Sequence, residues 1–70
     1  MVNESIRAAV VDSGLKQKFI ADAIGMSEPT FSAVLSGKRK VDVDEFFKLC
    51  QVLKKSPTDL YFYKQVQEAV

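Results

Sequence analysis

A glycine corner between two short helical patterns, in residues 17–40, constrains the fold more than any other feature. Apolar side chains recur with helical spacing before Gly25, and Ser27 after it is a good N-cap for a second helix. Ala21 is small at the point where the second helix would cross the first. Gly25 is expected in the left-handed conformation, which costs about 1 kcal/mol for a residue with a Cβ. The segment therefore predicts a bent pair of helices.

The other segments also predict helices, and none shows the alternation of a β-strand. Helices are expected over residues 4–12, 17–24 and 28–35, the first capped by Asn3 and stopped by Gly14. Asp42 and Glu45 resemble a capping box that opens a fourth helix. Ser56 and Pro57 predict the beginning of a fifth, over about residues 58–68.

Apolar spacing predicts which side chains face the core. Leu49 and Val52 are expected to widen the stripe of the fourth helix, and Leu60 with one or two of the following aromatics is expected to seal the core. The predicted inward positions are Ile6, Ala9, Val10, Phe19, Ile20, Ala23, Ile24, Phe31, Val34, Leu35, Val43, Phe46, Phe47, Cys50 and Leu53.

Length and composition limit the class of protein. With 70 residues the chain is expected to form one domain, residues 1–70, with a core only just large enough to be stable. No apolar run is long enough for a membrane span, and nothing at Met1 resembles a signal peptide. The single cysteine, Cys50, excludes an intramolecular disulfide framework and favours a cytoplasmic location.

Charge is distributed unevenly. The net charge is only +1, but five basic residues and two acidic ones lie between Lys16 and Lys40. A basic face on a nearly neutral body concentrates positive potential where a partner docks. The alternative is a basic loop that is merely solvated.

Catalysis, metals and cofactors have little support. The chain has no histidine, and its single cysteine is predicted on an apolar stripe. Metal-ligand spacings and a phosphate-cradling glycine loop are absent from the sequence. We expect a protein that is not an enzyme and that needs no cofactor, metal or small-molecule ligand.

The corner and its flanks resemble a known family. The segment 17–40, QKFIADAIGMSEPTFSAVLSGKRK, is similar to the helix-turn-helix of phage-repressor/Cro-type (XRE-like) DNA-binding proteins, with the motif at about residues 17–36. The looser similarity covers roughly residues 4–62. It implies an all-α, compact, five-helix, lambda-repressor-like domain in which helices 2 and 3 form the motif.

The resemblance also implies a set of DNA contacts. The third helix has a small outer face that fits the major groove, and its predicted base contacts are Glu28, Pro29, Thr30, Ser32 and Ala33. Relatives often have Gln, Asn, Arg or Lys at these positions, and this chain has none of them there. Methyl contacts and DNA shape are therefore expected to contribute more to its specificity. The predicted phosphate contacts are Lys16, Gln17, Lys18, Ser27, Ser36, Lys38, Arg39 and Lys40.

These expectations lead to a functional hypothesis and to alternatives. The leading reading is a prokaryotic or phage transcriptional regulator, a repressor, that binds double-stranded operator DNA in the nucleoid as a weak two-fold homodimer. The first alternative is a helix-turn-helix scaffold for protein–protein interaction, with Glu28 and the aromatic C-terminus as contact surfaces. An enzyme that borrows catalytic groups from a partner is the second alternative.

Overall fold

The computed structural model describes residues 2–64, which contain five α-helices and no strand. They are α1 (Val2–Ser13), α2 (Gln17–Ala23), α3 (Glu28–Leu35), α4 (Val43–Leu53) and α5 (Pro57–Tyr61). The all-α, five-helix fold predicted from the sequence is confirmed. None of the helices within residues 2–64 is long and apolar enough to cross a membrane.

The helices enclose one apolar core. Helix α1 packs against α3, α4 and α5, while α2 packs against α3 and α4. Leu49 was expected only to widen the stripe of α4, but it is fully buried at the centre. The largest fully buried apolar side chains are Ile6, Ile20, Phe31, Val34, Leu49 and Leu60. The α2–α3 pair therefore packs on α1 and α4.

The corner between α2 and α3 has the geometry that its sequence predicts. Gly25 has φ +74°, and the amide of Met26 donates to the carbonyl of Ala21 at 2.9 Å. A Cβ on Gly25 would meet no atom within 4 Å, so the backbone angle and not space requires glycine. Ser27 caps α3 by accepting from the amide of Thr30 at 3.3 Å. The bent helix pair is confirmed.

The beginnings of α4 and α5 also follow the sequence. The carboxylate of Asp42 accepts from the amide of Glu45 at 2.8 Å, and that of Glu45 accepts from the amide of Asp42 at 3.1 Å. Ser56 accepts from the amide of Asp59 at 3.1 Å. Both satisfy helix amides that otherwise lack partners. The predicted capping box and the serine cap are confirmed.

Two predicted helix ends are wrong. Helix α1 begins at Val2, so Asn3 lies inside the helix and its side chain bonds to other elements instead of capping. Helix α5 ends at Tyr61, where residues 62–64 form a turn, and the rest of the predicted 58–68 helix lies outside the described residues. Lys64 has φ +60°, a conformation that cannot continue a helix.

Four predicted core positions are wrong. Phe19 is 57% exposed, and Ala23 is also exposed. On α4, Val43 and Phe47 are 68% and 49% exposed. Each short helix touches its neighbours along a narrow stripe, and α4 is rotated so that Leu49 lies at its centre. Spacing alone does not distinguish such neighbouring stripes on an apolar helix.

The C-terminal turn is anchored on α1. The Tyr63 hydroxyl donates to Asp12 at 2.7 Å, and the Lys64 ammonium lies 2.9 Å from the same carboxylate oxygen. These contacts lower the pKa of Asp12, the tyrosine bond contributing most. Leu60 is fully buried and Tyr63 is partly buried against the core, as predicted for the residues that seal it.

The single cysteine belongs to the core. Cys50 is buried on α4, as its position on an apolar stripe predicted. Burial raises the pKa of its thiol, because the apolar surroundings disfavour the thiolate. Cys50 therefore packs as a small apolar side chain.

Candidate nucleic-acid interface

Helix α3 presents a face of small side chains to solvent. Phe31 and Val34 are buried and fix the orientation of the helix. Of the five residues predicted to contact bases, Pro29, Ser32 and Ala33 lie on the opposite side, and Glu28 and Thr30 flank them at the beginning of the helix. Three are exposed and two are half-buried: Glu28, Pro29, Ser32, Thr30 and Ala33. The outer face therefore has no large side chain to keep the helix out of a groove about 12 Å wide.

Several hydroxyl groups of this helix are already hydrogen-bonded within it. Ser27 Oγ donates to Thr30 Oγ1 at 2.8 Å, and Ser36 Oγ donates to the carbonyl of Ala33 at 3.1 Å. Ser32 forms no side-chain hydrogen bond with residues 2–64. Ser32 is thus the hydroxyl on this face with both its donor and its acceptor available.

The turn after α3 is shaped by a glycine. Gly37 has φ +85°, and its amide donates to the carbonyl of Val34 at 3.1 Å. The amides of Lys38 and Arg39 both donate to the carbonyl of Ala33, at 2.9 and 3.2 Å. These bonds close the C-terminal end of α3 and turn the chain sharply. The basic residues therefore leave the helix in a defined direction.

The three cations of this turn differ in their surroundings. Lys38 and Lys40 are exposed, and neither forms an ion pair within the described chain. Arg39 is half-buried, and its guanidinium donates to both carboxylate oxygens of Glu45 at 3.0 and 3.1 Å. This pair lowers the pKa of Glu45, with the Arg39 bond as the largest cause. The phosphate contact predicted for Arg39 would have to share or break this pair.

Asn3 connects the turn to the first helix. Its side chain is 5% exposed, and Nδ2 donates to the carbonyls of Val34 and Arg39, both at 2.9 Å. One amide group thus joins α1 to the end of α3 and to the basic turn. Sequence reasoning missed this role because Asn3 lies where a helix cap is expected. It also missed the ion pair between Arg39 and Glu45, because the sequence around Glu45 indicated only its role in the capping box.

The beginning of α2 lies beside the exposed face of α3. Gln17 lines the same surface groove as Ser32 and Ser36. Lys16 and Lys18, on either side of Gln17, are exposed. Lys16 provides no side-chain cap for α2. The structure therefore brings together predicted base-contacting and phosphate-contacting residues from both helices of the motif.

A separate apolar surface lies on the side formed by α4 and α5. We call Val43, Phe47, Tyr61 and Phe62 the aromatic patch, since each is about half exposed or more. The half-buried ring of Phe46 packs edge-on against Phe47 and Tyr61, with centroids 6.1 and 6.5 Å away. Large apolar side chains grouped in this way are typical of a contact surface.

The side chains that the structure places on the α2–α3 face suit the binding of nucleic acid. Within residues 2–64 no group of His, Cys, Asp or Glu side chains could hold a metal ion. The polar groups on the α2–α3 face are lysines, a glutamine, small hydroxyls and the carboxylate of Glu28. The lysines and the glutamine match phosphate oxygens, and the hydroxyls and the carboxylate match base edges.

Comparison with known proteins agrees with this geometry. The helix-turn-helix family, of the XRE/Cro/C1 type, matches residues 6–60, which is most of the chain and includes both helices of the motif. No curated protein and no solved structure matches the chain significantly. The chain belongs to the helix-turn-helix family of DNA-binding regulators.

Proposed function

We propose that this protein is a prokaryotic or phage transcriptional repressor that binds double-stranded DNA sequence-specifically through α3 and occludes a promoter site. The observation that carries the proposal is the exposed, small face of α3, which runs directly into a turn with two lysines that form no ion pair within residues 2–64. A helix in the major groove needs a face of this kind, and cations beside it hold the duplex by its phosphates.

In this proposal α3 supplies modest direct readout. Glu28 would accept from a cytosine amino group, and Thr30 or Ser32 would bond to a neighbouring base edge. Pro29 and Ala33 would pack on thymine methyl groups. None of these side chains forms the bidentate contacts of Arg or Asn, so DNA shape contributes a larger share of the specificity.

The phosphate contacts come from both ends of the motif. Gln17, with Lys16 and Lys18, lies at the beginning of α2, and Lys38 and Lys40 lie after α3. Ser27, Ser36 and Arg39 are the remaining candidates. Each neutralised phosphate contributes about −0.9 to the slope of log affinity against log salt.

We further propose a weak two-fold homodimer that is formed through the aromatic patch. Most of the patch lines a groove together with Val41 and Asp42, which directly follow the basic turn. A two-fold contact at this place would put two copies of the turn near each other on one duplex. Half-sites about 34 Å apart would then fall to the two copies of α3.

The proposal that this protein binds DNA is tested by the salt dependence of binding. The double variant Lys38→Ala/Lys40→Ala should lower affinity for every duplex and reduce the salt slope by about 1.8 per bound protomer, twice the value for one phosphate. Lys48→Ala, which removes an exposed cation of α4, is the control and should leave the slope unchanged. An unchanged slope in the double variant would favour the protein-interaction scaffold, for which the aromatic patch is the contact surface.

Sequence specificity and symmetry need a second experiment. Selection of bound sequences from random duplexes, at a stated salt concentration, should yield a two-fold symmetric consensus. No enrichment would contradict a specific regulator, and an asymmetric consensus would contradict the dimer.

A further inference from the structure

The outer surface of α1 lies beside the proposed DNA-binding face. A groove of about 340 Å³ lies between α1 and the α2–α3 pair. Arg7 and Val11 of α1 line one side of it, and Gln17, Ser32 and Ser36 line the other. None of the residues that line this groove is acidic. The first helix therefore meets the motif at a surface whose only charged side chain is a cation.

Arg7 has no partner inside the described chain. It is exposed, and it forms no ion pair or side-chain hydrogen bond with residues 2–64. A second groove lies along α1 beside the first and contains Arg7 together with Glu4, Ser36 and Gly37. Arg7 thus lines both grooves, and none of its five N–H donors is bound to another residue of 2–64.

Val11 lies one helical turn after Arg7, on the same face of α1. It is 71% exposed, the largest exposure among the large apolar side chains of the described residues. A cation and an apolar side chain one helical turn apart can bind a polymer in which anionic groups alternate with less polar ones. The backbone of DNA, in which phosphate alternates with deoxyribose, is such a polymer.

We propose that Arg7 and Val11 form a further DNA-backbone contact, in which a phosphate binds between Arg7 and Gln17 and the adjacent sugar packs on Val11. The inference rests on the proposed function, because it places the duplex over α3. It adds α1 to the binding surface, so the backbone is held from α1, from the beginning of α2 and from the turn after α3.

The test compares Arg7→Ala with the wild type on a mixed-sequence duplex of about 30 base pairs, long enough for two half-sites. Affinity is measured over a salt series. Per bound protomer, the variant should have a slope smaller by about 0.9, the value for one phosphate. Between 50 and 200 mM salt, the wild type should therefore lose about 3.5-fold more affinity per bound protomer than the variant.

Three matched variants separate a contact from a change in net charge. Arg7→Lys should restore most of the slope, since it keeps the cation. Lys48→Ala removes the same charge from α4 and should leave the slope at the wild-type value. Val11→Thr should weaken binding without changing the slope, because a sugar contact releases no counterion. Thermal unfolding of each variant checks that these exposed substitutions leave the fold intact.

The outcomes distinguish this inference from the proposed function. If Lys38→Ala/Lys40→Ala reduces the slope and Arg7→Ala does not, the proposed α1 contact is contradicted and the proposal of DNA binding is supported. If Arg7→Ala and Lys48→Ala reduce the slope equally, the effect is one of net charge and the contact is again wrong. If the wild type shows no salt-dependent binding to the duplex, both proposals fail together.

Discussion

Helix α3 and the turn that follows it, residues 36–40, are adjacent in the chain but are held in place by different interactions. Helix α3 is oriented by the burial of Phe31 and Val34 in the apolar core. The turn is held by polar contacts, from Asn3 to the carbonyl of Arg39 and from Arg39 to Glu45. Burial of apolar side chains is strongly stabilising but depends little on the orientation of the groups in contact, whereas hydrogen bonds require particular atoms at particular distances and angles.

This difference matches the two tasks of a DNA-binding surface. A recognition helix must lie at a fixed depth, which packing provides, while cations on a turn must be directed at phosphates, which a hydrogen-bond network provides. Substitutions in the two regions should therefore fail in different ways. Loss of packing should unfold the protein, and loss of the network should misdirect the lysines of a protein that still folds.

The largest effect is expected from Phe31→Ala. Phe31 is fully buried, and removing a buried phenylalanine side chain typically costs about 3–5 kcal/mol through lost burial and the cavity left behind. Urea unfolding should show this loss, and DNA binding should disappear with the fold. Phe19→Ala is the matched control: Phe19 is mostly exposed, and its substitution should change stability by only about 0.5 kcal/mol. Equal losses in the two variants would contradict the described core.

Asn3→Ala should have the next largest effect. It removes the two hydrogen bonds that the Asn3 amide donates to the carbonyls of Val34 and Arg39, and each such bond typically contributes about 0.5–1.5 kcal/mol. At a temperature where the variant is still folded, the salt slope of DNA binding should also fall, because Lys38 and Lys40 are less well directed. Gln51→Ala removes an exposed amide from α4 and serves as the control. A variant that is less stable but keeps the full slope would show that the turn does not depend on Asn3.

Ser27→Ala tests the beginning of α3. The serine accepts from the amide of Thr30, and loss of such a cap costs about 1 kcal/mol. The substitution also releases the Thr30 hydroxyl from its bond with Ser27. Urea unfolding should show the lower stability, and sequence preference should change at bases beside Thr30. Ser32→Ala, at an exposed position with no cap, should leave stability nearly unchanged.

The smallest effect is expected at Glu45, and it depends on pH. The pKa of Glu45 is lowered in the folded state by its bond with Arg39, so the ionised carboxylate stabilises the fold. That stabilisation is fully present above the ordinary value of 4.5 and is lost as the pH falls through the lower folded value. Wild type and Glu45→Gln should therefore differ in urea midpoint at pH 7 and converge in acid. A difference that persists below the folded pKa would mean that the ion pair is not its cause.

The sequence predicted the features that depend on local chemistry. The bounds of α3, the caps at Ser27 and Ser56, the Asp42–Glu45 box and the corner at Gly25 all follow from residues close together in the chain. Each involves a side chain and a backbone group no more than a few positions apart. Local propensity is sufficient for such features.

Features that depend on distant contacts were not predictable in this way. Asn3 bonds to groups more than thirty positions away in the chain, as its contact with Val34 O shows, so no local pattern contains that information. The rotation of α4 that exposes Phe47 and buries Leu49 depends on where α1 and α5 lie. The end of α5 at Tyr61 depends on the anchoring of Tyr63 on Asp12. Tertiary packing decides these details over spacing and propensity.

The burial of Cys50 has a practical consequence. A thiol-specific reagent needs the thiolate, and this thiol is both shielded and held protonated by its surroundings. Labelling in the native state must therefore wait until α4 separates from its neighbours. The rate at which the Cys50 sulfur is alkylated therefore measures how often the core opens transiently. The measurement needs neither an added label nor an engineered cysteine.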